Sequence, residues 1–167
     1  MKSYFIIILF LVSCNIKAQK FGAGVSAIYN FQTESFGAGV RGSLFPTKRL
    51  SFSPQVSYFF PFNKITELTV GLAVEYKAIY RPKFHIYGLL HGGYNRWLSY
   101  DKSEMKNAKP SNWNFEGGIG ISTNKCIRPF LEYRYNVKFL ETHLNLGVLY
   151  IFGCNSSNAP GTECPTF

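Results

Sequence analysis

The stretch LETHLNLGVLYIF, Leu140–Phe152, decides the fold. Every second residue from Thr142 gives Thr142, Leu144, Leu146, Val148, Tyr150 and Phe152. The residues between them are Glu141, His143, Asn145, Gly147, Leu149 and Ile151. Successive side chains of a strand point to opposite faces, so this segment is a strand with one greasy and one mostly wet side. A soluble protein buries the greasy side; a membrane barrel turns it outward. Function depends on which of the two holds.

The same alternation recurs along the chain. From Leu68 the apolar set is Leu68, Val70, Leu72, Val74 and Tyr76, with Glu67, Thr69, Gly71, Ala73, Glu75 and Lys77 opposite. Similar patterns start at Lys20, Ser35, Leu50, Phe84, Asn112 and Ile127, and no segment has a helical period. The spacing predicts eight strands: 20–30, 35–45, 50–60, 66–80, 84–98, 112–123, 126–138 and 140–152. The connections PTKR, RPK and NK, after strands two, four and six, are tight, whereas SYDKSEMKNAKPS after strand five is long and polar. Short turns at one end and longer loops at the other are the habit of transmembrane β-barrels. The connection after strand seven breaks this habit by being very short. Pro54 and Pro129 lie inside strands of a sheet without edges, and bulges are expected to accommodate them.

Composition agrees. Aromatic residues make up 17% of the chain although mean hydropathy is near zero, as expected when strands are only half apolar. The chain begins with Met1, Lys2 and the apolar run YFIIILFLV, too short for a membrane helix but suited to a signal peptide. Cleavage after Ala18 is favoured over a lipobox ending at Cys14. The expected organisation is a leader over 1–18, a barrel over 19–152 and a periplasmic tail over 153–167. A net charge of +9 points to anionic surroundings, and export makes nucleic acid the least suitable of them.

Packing chooses the face. The wet sides carry glycines and serines that suit a crowded lumen, because an eight-stranded barrel has room only for side chains. The greasy sides carry Phe21, Phe36, Tyr58, Trp113, Phe115, Tyr133 and Tyr150, gathered near strand ends around a belt of Val, Leu, Ile and Ala. The greasy face therefore points into lipid. The lumen then holds both signs of charge, with Arg41, Glu75, Lys77, Glu116, Arg128, Glu132 and Arg134 forming an expected cross-linked polar plug.

At this point the chain resembles the small eight-stranded outer-membrane barrels of the OmpX and OmpA-domain type, over Lys20–Phe152. The resemblance rests on strand count, turn asymmetry, aromatic girdles and leader rather than on a signature motif. It implies an all-β, antiparallel up-and-down barrel, monomeric, integral to the outer membrane, with both termini periplasmic. Partners would be outer-membrane lipid, lipopolysaccharide and the barrel assembly machinery, the last reading an aromatic residue such as Phe152 at the end of the final strand. The chain departs from the pattern by continuing to Phe167.

Other motifs carry less. GAGVRG, Gly37–Gly42, matches a dinucleotide fingerprint only formally, since it lies within a strand. His85 and His91 share a face but stand on the order of 20 Å apart along it, too far for one ion. His143 would suit a lipid-A-modifying enzyme, but position 145 offers Asn where such barrels place Ser. The expectation is thus no catalytic residue, metal or cofactor. An outer-membrane lipid-modifying enzyme is the runner-up, followed by a soluble lipocalin-like carrier. Lys64, Arg96, Lys102, Lys106, Lys109 and Lys138 are candidate contacts to lipopolysaccharide phosphates. Cys154 and Cys164 are the first choice for a disulfide, with Cys126–Cys154 the alternative.

Overall fold

The computed structural model describes residues 20–62, 65–98 and 110–153. They form eight antiparallel strands: β1 (Lys20–Asn30), β2 (Ser35–Phe45), β3 (Leu50–Phe62), β4 (Ile65–Tyr80), β5 (Phe84–Leu98), β6 (Ser111–Thr123), β7 (Ile127–Asn136) and β8 (Glu141–Ile151). Each pairs with its sequence neighbours, and β8 returns to β1, closing the barrel. Among the described residues there is no helix. The predicted strands all form, with boundaries moved by a few residues. One end carries the start of β1, the end of β8 and the turns 46–49, 81–83 and 124–126, and is called the turn end here. The opposite, loop end carries the turns 31–34 and 137–140, the end of β5 and the start of β6.

The faces fall as the pattern demands. Phe36, Val40, Leu90, Trp113, Phe115, Ile119 and Leu146 are exposed on the outer wall, while Arg41, Glu75, Glu116, Glu132 and Arg134 are buried inside. Leaving a Leu or Phe side chain in water rather than burying it costs about 1.5–3 kcal/mol each. A wall built of such residues is suited to lipid. This is the fold of a transmembrane barrel, with the inside-out polarity that the alternation predicts.

Glycine makes room for the interior. On inward positions, Gly120 pairs with Tyr87, Gly147 with Phe130, and Gly118 with Arg134. A Cβ added to Gly120 would lie 2.4 Å from Tyr87 Cζ, and one on Gly147 2.4 Å from Phe130 Cζ. These three large lumen side chains each lie over the bare backbone of a neighbouring strand. The repeated FGAGV segments follow this rule: Gly22 is covered by Ile151, Gly24 by Leu149 and Gly37 by Phe59.

The prolines are accommodated differently from the expectation. No register shift occurs at Pro54 or Pro129; the shifts in the sheet lie between Phe59 and Phe62 and between Lys77 and Ile79. Instead, Pro54 pairs with Leu72 on one side and faces a gap on the other, where the β2–β3 ladder skips from Arg41–Gln55 to Leu44–Phe52 in unchanged register. Pro129 pairs with Val148, and the β6–β7 ladder stops at Ser122–Phe130, just short of it. Ser122 Oγ donates to Pro129 O at 3.0 Å. Each missing N–H thus falls where a ladder is already interrupted.

Two loop-end turns share one construction. Asn30 Oδ1 accepts the backbone N–H groups of Gln32 and Thr33 at 3.0 and 3.2 Å. Asn136 Oδ1 accepts those of Lys138 and Phe139 at the same distances. Such side-chain capture closes a turn early, which is why β7 ends at Asn136 and not at the expected 138. The fourth residue of each turn, Glu34 and Leu140, has a left-handed backbone with φ of 48° and 56°. The long connection is pinned at its base, where Trp97 N–H donates to Pro110 O at 2.7 Å.

Candidate functional site

The lumen is the most elaborated part of the molecule, and Glu132 on β7 is its centre. Its carboxylate, wholly buried, accepts from Arg41 Nη1 and Tyr87 Oη at 2.7 Å, from Arg134 Nε and Asn145 Nδ2 at 3.0 Å, and from Arg134 Nη2 at 2.5 Å. These donors come from β2, β5, β7 and β8. Arg41 extends the network to β4 through Glu75 Oε1 at 2.7 Å, and Ser51 and Ser53 on β3 donate to that carboxylate at 2.9 and 2.7 Å. Arg134 reaches Gln55 Oε1 at 3.1 Å and lies 3.6 Å from Glu116 on β6. Removing an ion from water costs several kcal/mol, which only close partners offset. Here each central charge has two or more.

Toward the loop end the chain of charges continues. Glu116 faces His91 Nδ1 at 3.2 Å and His143 Nδ1 at 3.5 Å, and His143 Nε2 lies 3.6 Å from Glu141. Both ring nitrogens of His143 are therefore turned toward carboxylates. Glu141 also accepts from Asn30 Nδ2 at 3.0 Å, and Glu67 accepts from Asn95 Nδ2 and, at 3.2 Å, from Thr69. Among the described residues no group of His, Cys, Asp or Glu is arranged to hold a metal ion.

Toward the turn end an apolar cluster joins buried polar residues such as Ser43, Lys77 and His85. Phe130, Leu149 and Ile151 pack together with Phe45 against them, and the Arg41 guanidinium stacks 4.5 Å over Phe130. Among the described residues, one small lumen cavity is lined by Gln55, Glu116 and His143 and another by Glu75, Lys77 and Phe130. Each leaves about 20 Å³ for the centre of a water molecule, room for roughly one water.

The structure thus brings Arg41, Glu75, Glu116, Glu132 and Arg134 into one network and sets two other predicted residues apart. The Lys77 ammonium sits 5.1 Å over the Phe45 ring. Arg128 is only half-buried; its Nε donates to Lys125 O at 2.9 Å and its guanidinium lies 5.4 Å from the same ring. Both belong to the turn-end rim, because β4 and β7 carry them past the level of the carboxylates. Sequence reasoning missed Tyr87 as a donor and missed the apolar cluster at the base. The signal for the base was present: the inward face of β8 changes from Glu141, His143 and Asn145 to Leu149 and Ile151.

Of the proposed phosphate contacts, Arg96 and Lys138 are exposed at the loop end, Lys138 Nζ donating to Asn112 Oδ1 at 3.0 Å. Lys64, Lys102, Lys106 and Lys109 lie outside the described residues, as do Cys154 and Cys164. Cys126 is disulfide-bonded.

No protein-family model matches the chain, and no curated protein sequence matches it. Solved structures do. The N-terminal β-barrel domain of Pseudomonas aeruginosa OprF aligns over 80% of this chain and 97% of its own, with a TM-score of 0.57 and 12% identity. A de novo designed transmembrane β-barrel aligns over 79% and 94%, at 0.54 and 15% identity. Neisserial surface protein A aligns over 80% and 94%, at 0.51 and 13% identity. Identities this low speak for architecture alone, and the architecture is that of the small eight-stranded transmembrane barrels.

Proposed function

We propose that this protein is an outer-membrane barrel that conducts no solutes and acts as a structural element or a platform for surface recognition. The observation that carries this reading is the network on Glu132, which ties five strands across the lumen beside an apolar cluster. Buried, mutually paired charges lock a barrel; an open channel needs water where these side chains meet. Arg96 and Lys138 of the described residues, with Lys64, Lys102, Lys106 and Lys109, would meet lipopolysaccharide phosphates at the loop end. In this reading the termini face the periplasm, the barrel is monomeric, and it modifies no lipid. The test is release of small solutes from liposomes carrying the folded protein. Leakage no faster than from protein-free liposomes is expected; rapid flux overturns the plugged lumen.

A further inference from the structure

We propose that the β1–β2 and β7–β8 turns are seated in the membrane interface, so that on this side the barrel ends at the lipid and projects nothing toward a partner. The proposal goes beyond the function above and explains why the connection after β7 is so short.

The first ground is length. β7 has 10 residues and β1 and β8 have 11 each. A strand tilted by about 45° needs about 9–11 residues to cross the apolar layer, so the next residue lies at its edge. β4 and β5, with 16 and 15 residues, run well past that length.

The second ground is side-chain parity. Phe31 follows Tyr29 on the outward set of β1, Val137 follows Tyr135 on that of β7, and Leu140 precedes Thr142 on that of β8. All three are apolar and 48%, 61% and 65% exposed. Phe31 and Val137 carry the lipid-facing wall beyond the last ladder position, and Leu140 resumes it one outward position beyond Thr142. Phe31 sets its ring edge-on to Tyr29 at 5.1 Å, and Tyr29 meets Phe36 at 4.9 Å. The β1–β2 turn is also tied to the start of β8: Phe31 N–H donates to Thr142 O at 3.0 Å, and Gln32 Nε2 to Thr142 Oγ1 at 3.1 Å.

The third ground is chemical contrast with the turn end. There the tips carry Lys48, Arg49, Arg81, Lys83 and Lys125, the composition of turns that stand in water. At the β7–β8 tip a leucine, Leu140, occupies a left-handed position where Gly or Asn is the usual choice. Such a side chain gains nothing from water but is favoured in a lipid interface. Lys138 is drawn back along the rim to Asn112, its ammonium 5.6 Å from the Phe139 ring, as a lysine does when its stem lies in apolar surroundings.

The occupant of this surface is therefore the lipid interface itself. The experiment is amide NMR of the full chain folded in phosphatidylcholine nanodiscs, with two paramagnetic probes used in turn. One is a nitroxide carried by the lipid near its headgroup; the other is a soluble gadolinium chelate. The lipid probe should erase most of the signal of residues 31–33 and 137–140 while the chelate spares them, with the reverse for 47–49 and 125. Broadening of 137–140 by the chelate as strong as that of 47–49 would overturn the proposal. So would the absence of any effect of the lipid probe on those residues. Leu140→Asn, which suits the left-handed backbone, is expected to shift its turn toward the chelate pattern while leaving the strand resonances in place.

Discussion

Replacing Glu132 by leucine tests the account of the lumen most directly. The wild-type carboxylate accepts five hydrogen bonds from four side chains, all in a region closed to water. In Glu132→Leu, Arg41 keeps Glu75 at 2.7 Å, but Arg134 is left with Gln55 and with Glu116 at 3.6 Å. The loss therefore falls mainly on Arg134. Breaking a buried ion pair from one side costs about 3–5 kcal/mol, or roughly two to three and a half decades in the folding equilibrium. Glu132→Gln keeps the shape and some of the acceptors, and its loss should be smaller. Adding Arg134→Met to Glu132→Leu should cost less than the sum of the two single changes, since the second removes the charge that the first stranded. Urea unfolding of the protein in phosphatidylcholine vesicles, followed by the fluorescence of Trp97 and Trp113, would read all four variants. A loss for Glu132→Leu below about 1 kcal/mol, the worth of a surface pair, or strict additivity with Arg134→Met, would refute a dry, coupled network.

Three further outcomes are expected. Gly147→Ala places a Cβ 2.4 Å from both Phe130 Cζ and Val25 O, and should destabilise by about 1–3 kcal/mol in the same titration; Gly88→Ala, with nothing within 4 Å, should be neutral or stabilising by up to about 1 kcal/mol. On a gel, the unheated detergent-extracted protein should migrate differently from the boiled protein, and a single mobility would count against a closed barrel. Arg96→Ala combined with Lys138→Ala should reduce retention of lipopolysaccharide, measured by native mass spectrometry, without changing the heat-dependent mobility; unchanged retention would remove these two residues from the proposed contact.

Much of this architecture is written in two-residue periodicity, since barrel strands must separate lipid-facing from lumen-facing residues. Strands β2 and β5 could be read to the residue for that reason. The set Arg41, Glu75, Glu116, Glu132 and Arg134 was also legible, because a charge on the inward parity of a closed barrel must find its partner inside. Who pairs with whom was not. That depends on the stagger of the barrel, which brings Arg41 of β2 opposite Glu132 of β7, 91 residues away in the chain. Parity alone could not separate Lys77 and Arg128 from the network either, since it says which face a residue occupies but not its height along the barrel. The early end of β7 escaped notice because capture of two N–H groups by Asn136 leaves no periodic trace. The prolines invited bulges because a bulge is the common remedy for a lost N–H, whereas this barrel aligns them with gaps in its ladders.

The hydrogen bond from Trp97 to Pro110 has a practical consequence. It fixes the two ends of the long connection against each other, so the entropy of bringing them together is borne by the barrel wall whatever lies between. Doubling the length of such a connection costs only about 0.6 kcal/mol in closure entropy. The segment between these anchors is therefore a port for insertion: epitope tags or foreign peptides placed there should be displayed by a barrel whose interior does not register their arrival.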